Sequence, residues 1–385
     1  MKVIAIFLNL GPYHVARLSA AARWLNSRGA SLYAVEVYSH DDTYGWNRPD
    51  DDVPFEWITL LSSRERDRTK AARAVRDVLQ TFQPDVVAIP GWGEQFARRA
   101  LGWCRANRRP AILLSESTAR DRARPVWKEQ YKKHIVRQFH AALVGGSPQR
   151  DYVIALGFPA NRVFTGYNVV DNDLFVRARQ TSRENAEALR ADLSLPECYF
   201  LTVSRCVAVK NLPLLIDAYA RYCRESPSSS PWRLVICGDG PDRVNLTSRA
   251  RRAGVPPVDW RGFVQINQLP SYYALASGFI LASYSEPWGL VVNEAMAAGL
   301  PLILSNAIGC AQDLARQGTN ALLFEATSVD ALTTRMHELS DMPLSARASM
   351  GRASSKIIQD WGPDRFACGL GQALESITGS IAPQT

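Results

Sequence analysis

Two carboxylates stand out for the chemistry they could do together. Glu286 and Glu294 lie eight positions apart in SYSEPWGLVVNEAMAAGLP, residues 283–301. On one continuous helix they would be roughly 80° apart, at about 100° per residue. Pro287 and Gly289 argue instead for Glu286 in a loop and Glu294 in an apolar helix that closes at Gly299-Leu300-Pro301. The helix N-terminus then opens between the two carboxylates, with unpaired N–H groups and the positive dipole end free for a phosphate. A ligand with an anionic diphosphate between two hydroxyl-rich groups suits this arrangement, and a nucleotide-sugar has that shape. The plain alternative is an ordinary loop carboxylate and an ordinary helix-surface carboxylate.

Other residues of this kind fall at the ends of apolar runs, where open α/β sheets bind ligands. LTVS, residues 201–204, ends in Arg205, with Lys210-Asn211 before the next helix, and two cations there can neutralise a diphosphate. LVIC, residues 234–237, ends in the tight turn Gly238-Asp239-Gly240-Pro241, which lets backbone pass close to a ligand. Trp260-Arg261-Gly262-Phe263-Val264 ends a further run and could border a base, although a strand-end arginine often only faces solvent. Gly11-Pro12-Tyr13-His14 follows the first run: Gly11 could bring N–H groups to a phosphate, and His14 reads either as a site residue or as a helix-start residue bonded to backbone. Asp50-Asp51-Asp52 has no second acidic group nearby, so no metal site is expected there.

The elements that must position these residues follow a simple alternation. In the first half, VIAIFLNL, SLYAVEVYS, FEWITLL, DVVAIPG, AILLSES, AALVGG and RVFTGYNV read as strands. Helices are expected at about 14–27, 64–82, 94–107, 125–140 and 148–156. In the second half, YFLTVSR, RLVICGDG, VDWRGF, GFILAS, PLILSN and ALLFEA read as strands. Helices there are expected at 211–225, 241–253, 267–276, 289–299, 310–316 and 328–340. Such alternation implies parallel βαβ units, hence two doubly wound Rossmann-like domains. The boundaries expected are 1–170 and 171–360, with a terminal helix at about 361–380 able to pack on either domain, including back on the first.

Length and composition agree with a two-domain protein able to bury two cores: 385 residues, 46% apolar and 21% charged. No apolar run reaches the roughly 18–20 residues of a membrane span, and Lys2–Leu10 reads as a buried strand, not a signal peptide. The seven cysteines are scattered, without metal-ligand spacing, and read as reduced core thiols of a cytoplasmic protein. Charge is uneven. Residues 1–170 carry 25 Lys and Arg against 16 Asp and Glu, or +9, and the remainder carries 20 against 21. Much of the excess lies around Trp127 and Tyr131, where Arg120, Arg122, Arg124, Lys128, Lys132, Lys133 and Arg137 cluster. That stretch reads as a solvated helix face, or as a surface for an anionic membrane or a lipid-diphosphate acceptor. Nucleic acid is not expected, since no module for it is visible and the aromatics are too sparse for stacking.

In this order the motifs resemble those of the retaining GT-B glycosyltransferases of family 4. Members carry a strand-end Arg, a Lys about five residues on, a Gly-Asp-Gly turn, a Gly-Phe-Val segment and E-P-x-G-x-x-x-x-E. Here these are Arg205, Lys210, Gly238-Asp239-Gly240, Gly262-Phe263-Val264 and Glu286 to Glu294. Asn168-Val169-Val170-Asp171 is similar to the family's domain-joining Asn-Gly-Val-Asp, with Val169 in place of the Gly. The likeness is dense from about 165 to 330 and weaker before it.

The resemblance implies two domains facing across a cleft, with the acceptor on the first and the nucleotide-sugar on the second. Arg205 and Lys210 would grip the donor diphosphate, Glu294 would bind the ribose, and Glu286 would face the sugar. Amides near Trp288, Gly289 and Leu290 would hold hydroxyls or phosphate, with Gly238, Phe263 and Val264 around the nucleotide. Relatives often place a His after a later strand of the first domain. Here that strand ends Leu114-Ser115-Glu116-Ser117-Thr118, so Glu116 or His14 stands for that contact. The implied activity is metal-independent, cofactor-free, retaining transfer of a hexosyl group to a saccharide or glycolipid hydroxyl by a front-face route. Glu116 keeps a double displacement open. UDP-sugar is favoured over GDP-sugar on family frequency alone. The expected location is cytoplasmic, or peripheral to the inner face of the membrane. The rival readings are an epimerase or phosphorylase on the same fold, and a nucleotide-sugar sensor without turnover.

Overall fold

The computed structural model describes residues 1–39, 45–46, 52–62, 66–121, 125–226, 231–254 and 256–379. The chain divides into two compact units, Met1–Asp171 with Trp361–Thr385, and Asn172–Asp360.

The first unit runs β1 (Lys2–Phe7), α1 (Pro12–Asn26), β2 (Ser31–Tyr38), β3 (Glu56–Leu61), α2 (Arg68–Phe82), β4 (Val86–Pro90), α3 (Gln95–Ala106), β5 (Ala111–Ser115), α4 (Val126–Val136), β6 (Ala141–Val144), α5 (Ser147–Ala155) and β7 (Val163–Thr165). All its strands are parallel, in the order β3-β2-β1-β4-β5-β6-β7. The strands are apolar on both faces because helices cover both, as parallel sheets require. Local signals set the helix starts. The Asp67 carboxylate accepts the Thr69 and Lys70 N–H groups, both at 2.9 Å, which is why α2 begins at Arg68 and not at 64.

The second unit continues α6 (Asn172–Glu184), α7 (Ala186–Asp192), β8 (Tyr199–Val203), α8 (Leu212–Glu225), β9 (Arg233–Cys237), α9 (Arg243–Arg252), β10 (Asp259–Gly262), α10 (Leu269–Leu275), β11 (Gly278–Leu281), α11 (Leu290–Ala297), β12 (Leu302–Ser305), α12 (Ala311–Leu314), β13 (Ala321–Phe324), α13 (Val329–Asp341) and α14 (Leu344–Ile358). Its six parallel strands are ordered β10-β9-β8-β11-β12-β13. In each sheet the strand order reverses once, between β1 and β4 and between β8 and β11. That switch point is where ligands enter folds of this class.

The last helix, α15 (Pro363–Thr378), belongs to the first unit. Phe366, Leu370, Ala373 and Leu374 join the core that holds Leu18 and Leu25 of α1. Arg17 fastens it. The guanidinium is buried, donates to the Tyr167 carbonyl at 2.8 Å, and sits 4.2 Å from the Tyr167 ring and 5.5 Å from those of Phe7 and Phe366. Among the described residues, no helix is long and apolar enough to cross a membrane.

Candidate functional site

In the second unit the switch point gathers most of the residues singled out from sequence. Arg205, partly buried, follows the end of β8. The chain then makes a single 3-10 turn, 208–210, so that Lys210 faces the loop leaving β11. That turn is held in place from outside. The Tyr284 N–H donates to the Val209 carbonyl at 3.2 Å, and the Asn211 amide donates to the carbonyls of Ala282 at 3.1 Å and Ala326 at 2.9 Å. Asn211 adopts φ 55, which an asparagine tolerates better than most side chains.

Lys210 and Glu286 meet. The ammonium donates to Glu286 Oε2, with the side chains only 17% and 13% exposed, and Ser283 Oγ donates to the same oxygen at 3.3 Å. The sequence reading gave these two residues to different parts of a ligand, whereas in the structure they neutralise each other. Beside them an open cavity of about 540 Å³ is lined by the hydrogen-bonding side chains of Asn211, Tyr284, Asn306, Glu325 and Thr327 and by the apolar Leu214, Ala307 and Ala326.

The Pro-Trp-Gly turn starts α11 with Gly289 as its N-cap. Trp288 is buried and its indole N–H donates to Asn293 Oδ1 at 3.0 Å, so the ring is core and only its backbone is left for a ligand. The neighbouring loop is stitched to this turn: Gly309 N–H donates to the Glu286 carbonyl at 2.8 Å and Cys310 N–H to that of Trp288 at 3.1 Å. A Cβ at Gly309 would lie 1.9 Å from the Pro287 oxygen, so no larger residue permits that approach.

Glu294 is 2% exposed, in a helix buried on all sides. The Tyr273 hydroxyl on α10 donates to its Oε2 at 2.8 Å, and the Tyr273 ring packs 5.6 Å from Phe175 and 5.7 Å from Phe279. The sequence reading missed Tyr273, whose only signal was a Tyr-Tyr pair in the mostly apolar heptapeptide LPSYYAL.

Gly238 has a packing role in the fold. It adopts φ 144, and a Cβ there would lie 1.8 Å from the Ser204 carbonyl oxygen. The close approach is therefore to the end of β8. Arg261 is structural as well: it donates to the carbonyls of Leu193 at 2.6 Å and Ser194 at 2.7 Å and pairs with Asp259 at 3.1 Å. Beyond it, Phe263 is 40% exposed and Val264 is buried. The thiols near this site are held protonated. Burial raises Cys206 to about 11, and burial followed by the charges of Glu286 and Asp313 pushes Cys310 well above its ordinary value. Neither is a nucleophile near neutral pH. Among the described residues, no group of three His, Cys, Asp or Glu side chains gathers as metal ligands.

In the first unit, Gly11 and His14 leave β1 and Glu116, exposed, leaves β5, all at the C-terminal edge of one sheet. His14 is the third residue of α1. Its Nδ1 accepts the Gly11 N–H at 3.2 Å while its own N–H donates to the Gly11 carbonyl at 2.9 Å, a capping-box role. Burial, then the Arg17 charge, hold its pKa well below 6.5, so it is neutral. The buried Glu36 carboxylate, unmarked in the sequence, fixes this loop by accepting the Leu10 N–H at 2.8 Å.

On α4, Trp127, Lys128 and Tyr131 are exposed. Lys132 is not part of that face: its ammonium is bound to Glu129 at 3.0 Å and to the Tyr152 hydroxyl at 2.8 Å. The helix ends at Val136 and not near 140: the Gln138 and Phe139 N–H groups donate three residues back, to the Ile135 and Val136 carbonyls at 3.0 and 3.2 Å, which tightens and closes the last turn. Arg122 and Arg124, like Asp50 and Asp51, lie outside the described residues.

Two doubly wound parallel α/β units are the architecture of the GT-B class of glycosyltransferase folds. Solved structures agree along the full length. A glycosyltransferase from Rickettsia africae superposes with TM-score 0.75 at 12% identity, covering 98% of this chain and 99% of that one. HepE of Anabaena, in complex with UDP, gives 0.71 at 17%, covering 98% and 100%. Residues 186–357, just under half of the chain, match the family model for glycosyl transferases group 1. A GDP-mannose-dependent alpha-mannosyltransferase of Mycobacterium tuberculosis is 28% identical over 73% of this chain and 72% of its own length. An alpha-monoglucosyldiacylglycerol synthase of Acholeplasma laidlawii is 32% identical over 34% of this chain. The chain spans only 32% of the length of that synthase.

Proposed function

We propose that the protein transfers a hexosyl group from a nucleotide-sugar to a hydroxyl of a saccharide or lipid-linked acceptor. The observation that carries this reading is the Lys210–Glu286 pair at the β8/β11 switch point, with Glu286 eight residues before the buried Glu294. Lys210 and Arg205 supply the positive charge that a departing nucleoside diphosphate needs, so the reaction runs without a metal. Glu294 accepts hydrogen bonds from the ribose. When the diphosphate draws Lys210 away, Glu286 is released to accept hydrogen bonds from the sugar hydroxyls. The first unit carries its own candidate residues, the neutral His14, the Gly11 turn and Glu116, at the C-terminal edge of its sheet.

Transfer proceeds with retention. The acceptor oxygen bonds to the anomeric carbon on the face from which the diphosphate oxygen leaves, and the acceptor proton passes to that departing oxygen. Uridine is the favoured base. Family frequency supports it, as does HepE, a fold neighbour solved with UDP. A lipid acceptor is in keeping with the diacylglycerol named in the Acholeplasma relative. The protein would work in the cytoplasm or at the inner face of the membrane.

The test is a panel of UDP-, GDP-, ADP- and dTDP-sugars with the purified protein, scored by thermal stabilisation and nucleotide release, with and without saccharide and lipid-diphosphate acceptors. One nucleotide series should stabilise the protein and be turned over, and Lys210→Ala should abolish both. Absence of binding across the panel, with acceptors present, would refute the reading. Turnover that requires inorganic phosphate would make the protein a phosphorylase instead.

A further inference from the structure

Among the described residues, the start of α4 is exposed in a way the rest of the surface is not. Val126, Trp127 and Tyr131 are 76%, 66% and 55% exposed. The other large apolar side chains found in the open, Val244, Phe263, Tyr284 and Leu344, stand singly on separate elements. Trp127 and Tyr131 are four apart and therefore share one helix face. Ile135, four further on, turns inward, and with Val136 and the Lys132–Glu129–Tyr152 cluster it anchors the helix to the unit. The helix is thus fixed at its C-terminal half and presents its N-terminal half outward. The exposed half is also cationic. Lys128 is exposed with its ammonium 5.3 Å from the Trp127 ring, and Arg120 and Arg137 are exposed on either side.

Three occupants could cover such a face, and charge separates them. A second copy docking by a two-fold axis would bring Lys128 and its neighbouring arginines against themselves. A nucleic acid needs successive stacking platforms along a groove, and one Trp with one Tyr on a convex helix do not make one. An anionic lipid surface meets every requirement. It is negative, it is laterally continuous, and its headgroup layer takes apolar side chains from one side while amphipathic Trp and Tyr rings settle at the boundary. We propose that the N-terminal half of α4 docks the protein on anionic phospholipid bilayers, with Trp127 and Tyr131 inserting and Lys128, Arg120 and Arg137 facing the headgroups. The +9 charge of residues 1–170 favours the same orientation. This inference does not depend on the transferase reading, since its assay contains no donor.

The experiment is co-sedimentation of the full chain with vesicles of phosphatidylglycerol and phosphatidylcholine in equal parts, against vesicles of phosphatidylcholine alone. Binding to the anionic vesicles is expected, fading as salt screens the charges. The double substitution Trp127→Ser with Tyr131→Ser should weaken it at least about tenfold without moving the melting temperature, since both side chains are exposed. Lys128→Glu, a change of two charges that leaves the aromatics in place, should weaken it by about tenfold on its own. The proposal is overturned by equal binding to both vesicle types, by no binding, or by binding that neither variant changes. A concentration-dependent dimer abolished by Trp127→Ser would overturn it too, assigning the face to self-association.

Discussion

Tyr273→Phe separates what holds Glu294 from what holds the fold. The substitution removes one oxygen and keeps the ring, so the packing against Phe175 and Phe279 survives. What is lost is the hydroxyl that donates to Glu294 Oε2 at 2.8 Å, inside a helix where Glu294 is 2% exposed. Hydrogen bonds to charged groups contribute about 1.5–3 kcal/mol, and a buried carboxylate that loses a donor is penalised within that range. Unfolding in urea should therefore show the variant less stable by about 1.5–3 kcal/mol. The functional effect follows from position. A carboxylate freed at one oxygen no longer presents the other at a fixed angle, so about 1–2 kcal/mol of ribose recognition should go, or roughly 5- to 30-fold in affinity. Titration calorimetry with UDP and with 2′,3′-dideoxy-UDP makes the comparison. The variant should lose affinity for UDP and lose almost none for the dideoxy nucleotide, which has no ribose hydroxyls for Glu294. Equal losses for both ligands would mean that Tyr273 only supports the fold, and the positioning argument would fail.

Three further outcomes are expected. In urea, Lys210→Met and Glu286→Gln should each destabilise more than their combination, with a coupling of about 1–3 kcal/mol, because each single change leaves a mostly buried partner alone; additive losses would deny the pair. Gly238→Ala should cost on the order of 3 kcal/mol or more, from a left-handed φ and a Cβ 1.8 Å from Ser204 oxygen, and a melting temperature equal to that of the parent would contradict this packing. His14, held neutral in the fold with its pKa below 6.5, gains its proton more readily when unfolded, so its contribution is full above pH 6.5 and declines as the pH falls toward the folded value. His14→Gln keeps a capping acceptor at the third helical position and should flatten that acid slope, leaving the part due to His140, which is lowered in the same direction. A slope unchanged by the substitution would remove His14 from the account.

The parts of the fold legible in the sequence were those with apolar runs. Each expected strand has its counterpart; most are nearly continuous Val, Ile and Leu because both faces are covered, while β10, Asp-Trp-Arg-Gly, is half-buried. Three helices, α6, α7 and α14, were not foreseen. α14 buries Gly351 and Ser354 beside Met350 and Ile358, and Ser354 Oγ donates to the Leu300 carbonyl at 2.7 Å, so its packing leaves little hydrophobic period to read. α6 turns Phe175 inward, but charged and polar residues dominate the rest of it.

At the candidate site, residue types and strand-end positions brought Arg205, Lys210, Glu286 and Glu294 forward. Sequence does not carry pairings across loops. It could not reveal that Lys210 closes on Glu286, that Tyr273 reaches Glu294, or that Asn211 ties three strand ends together. It also could not tell that Gly238 is needed by a neighbouring carbonyl, or that Lys132 is spent on Glu129.

The most direct test of the central claim is calorimetric binding of UDP, GDP and UMP to the parent protein, to Lys210→Ala and to Glu294→Gln. The account predicts that one nucleoside diphosphate binds more tightly than its monophosphate. Lys210→Ala should erase that difference, since its ammonium serves the second phosphate. Glu294→Gln should weaken diphosphate and monophosphate alike, since both carry the ribose. Equal binding of diphosphate and monophosphate by the parent, or a Lys210→Ala variant that keeps the preference, would contradict it.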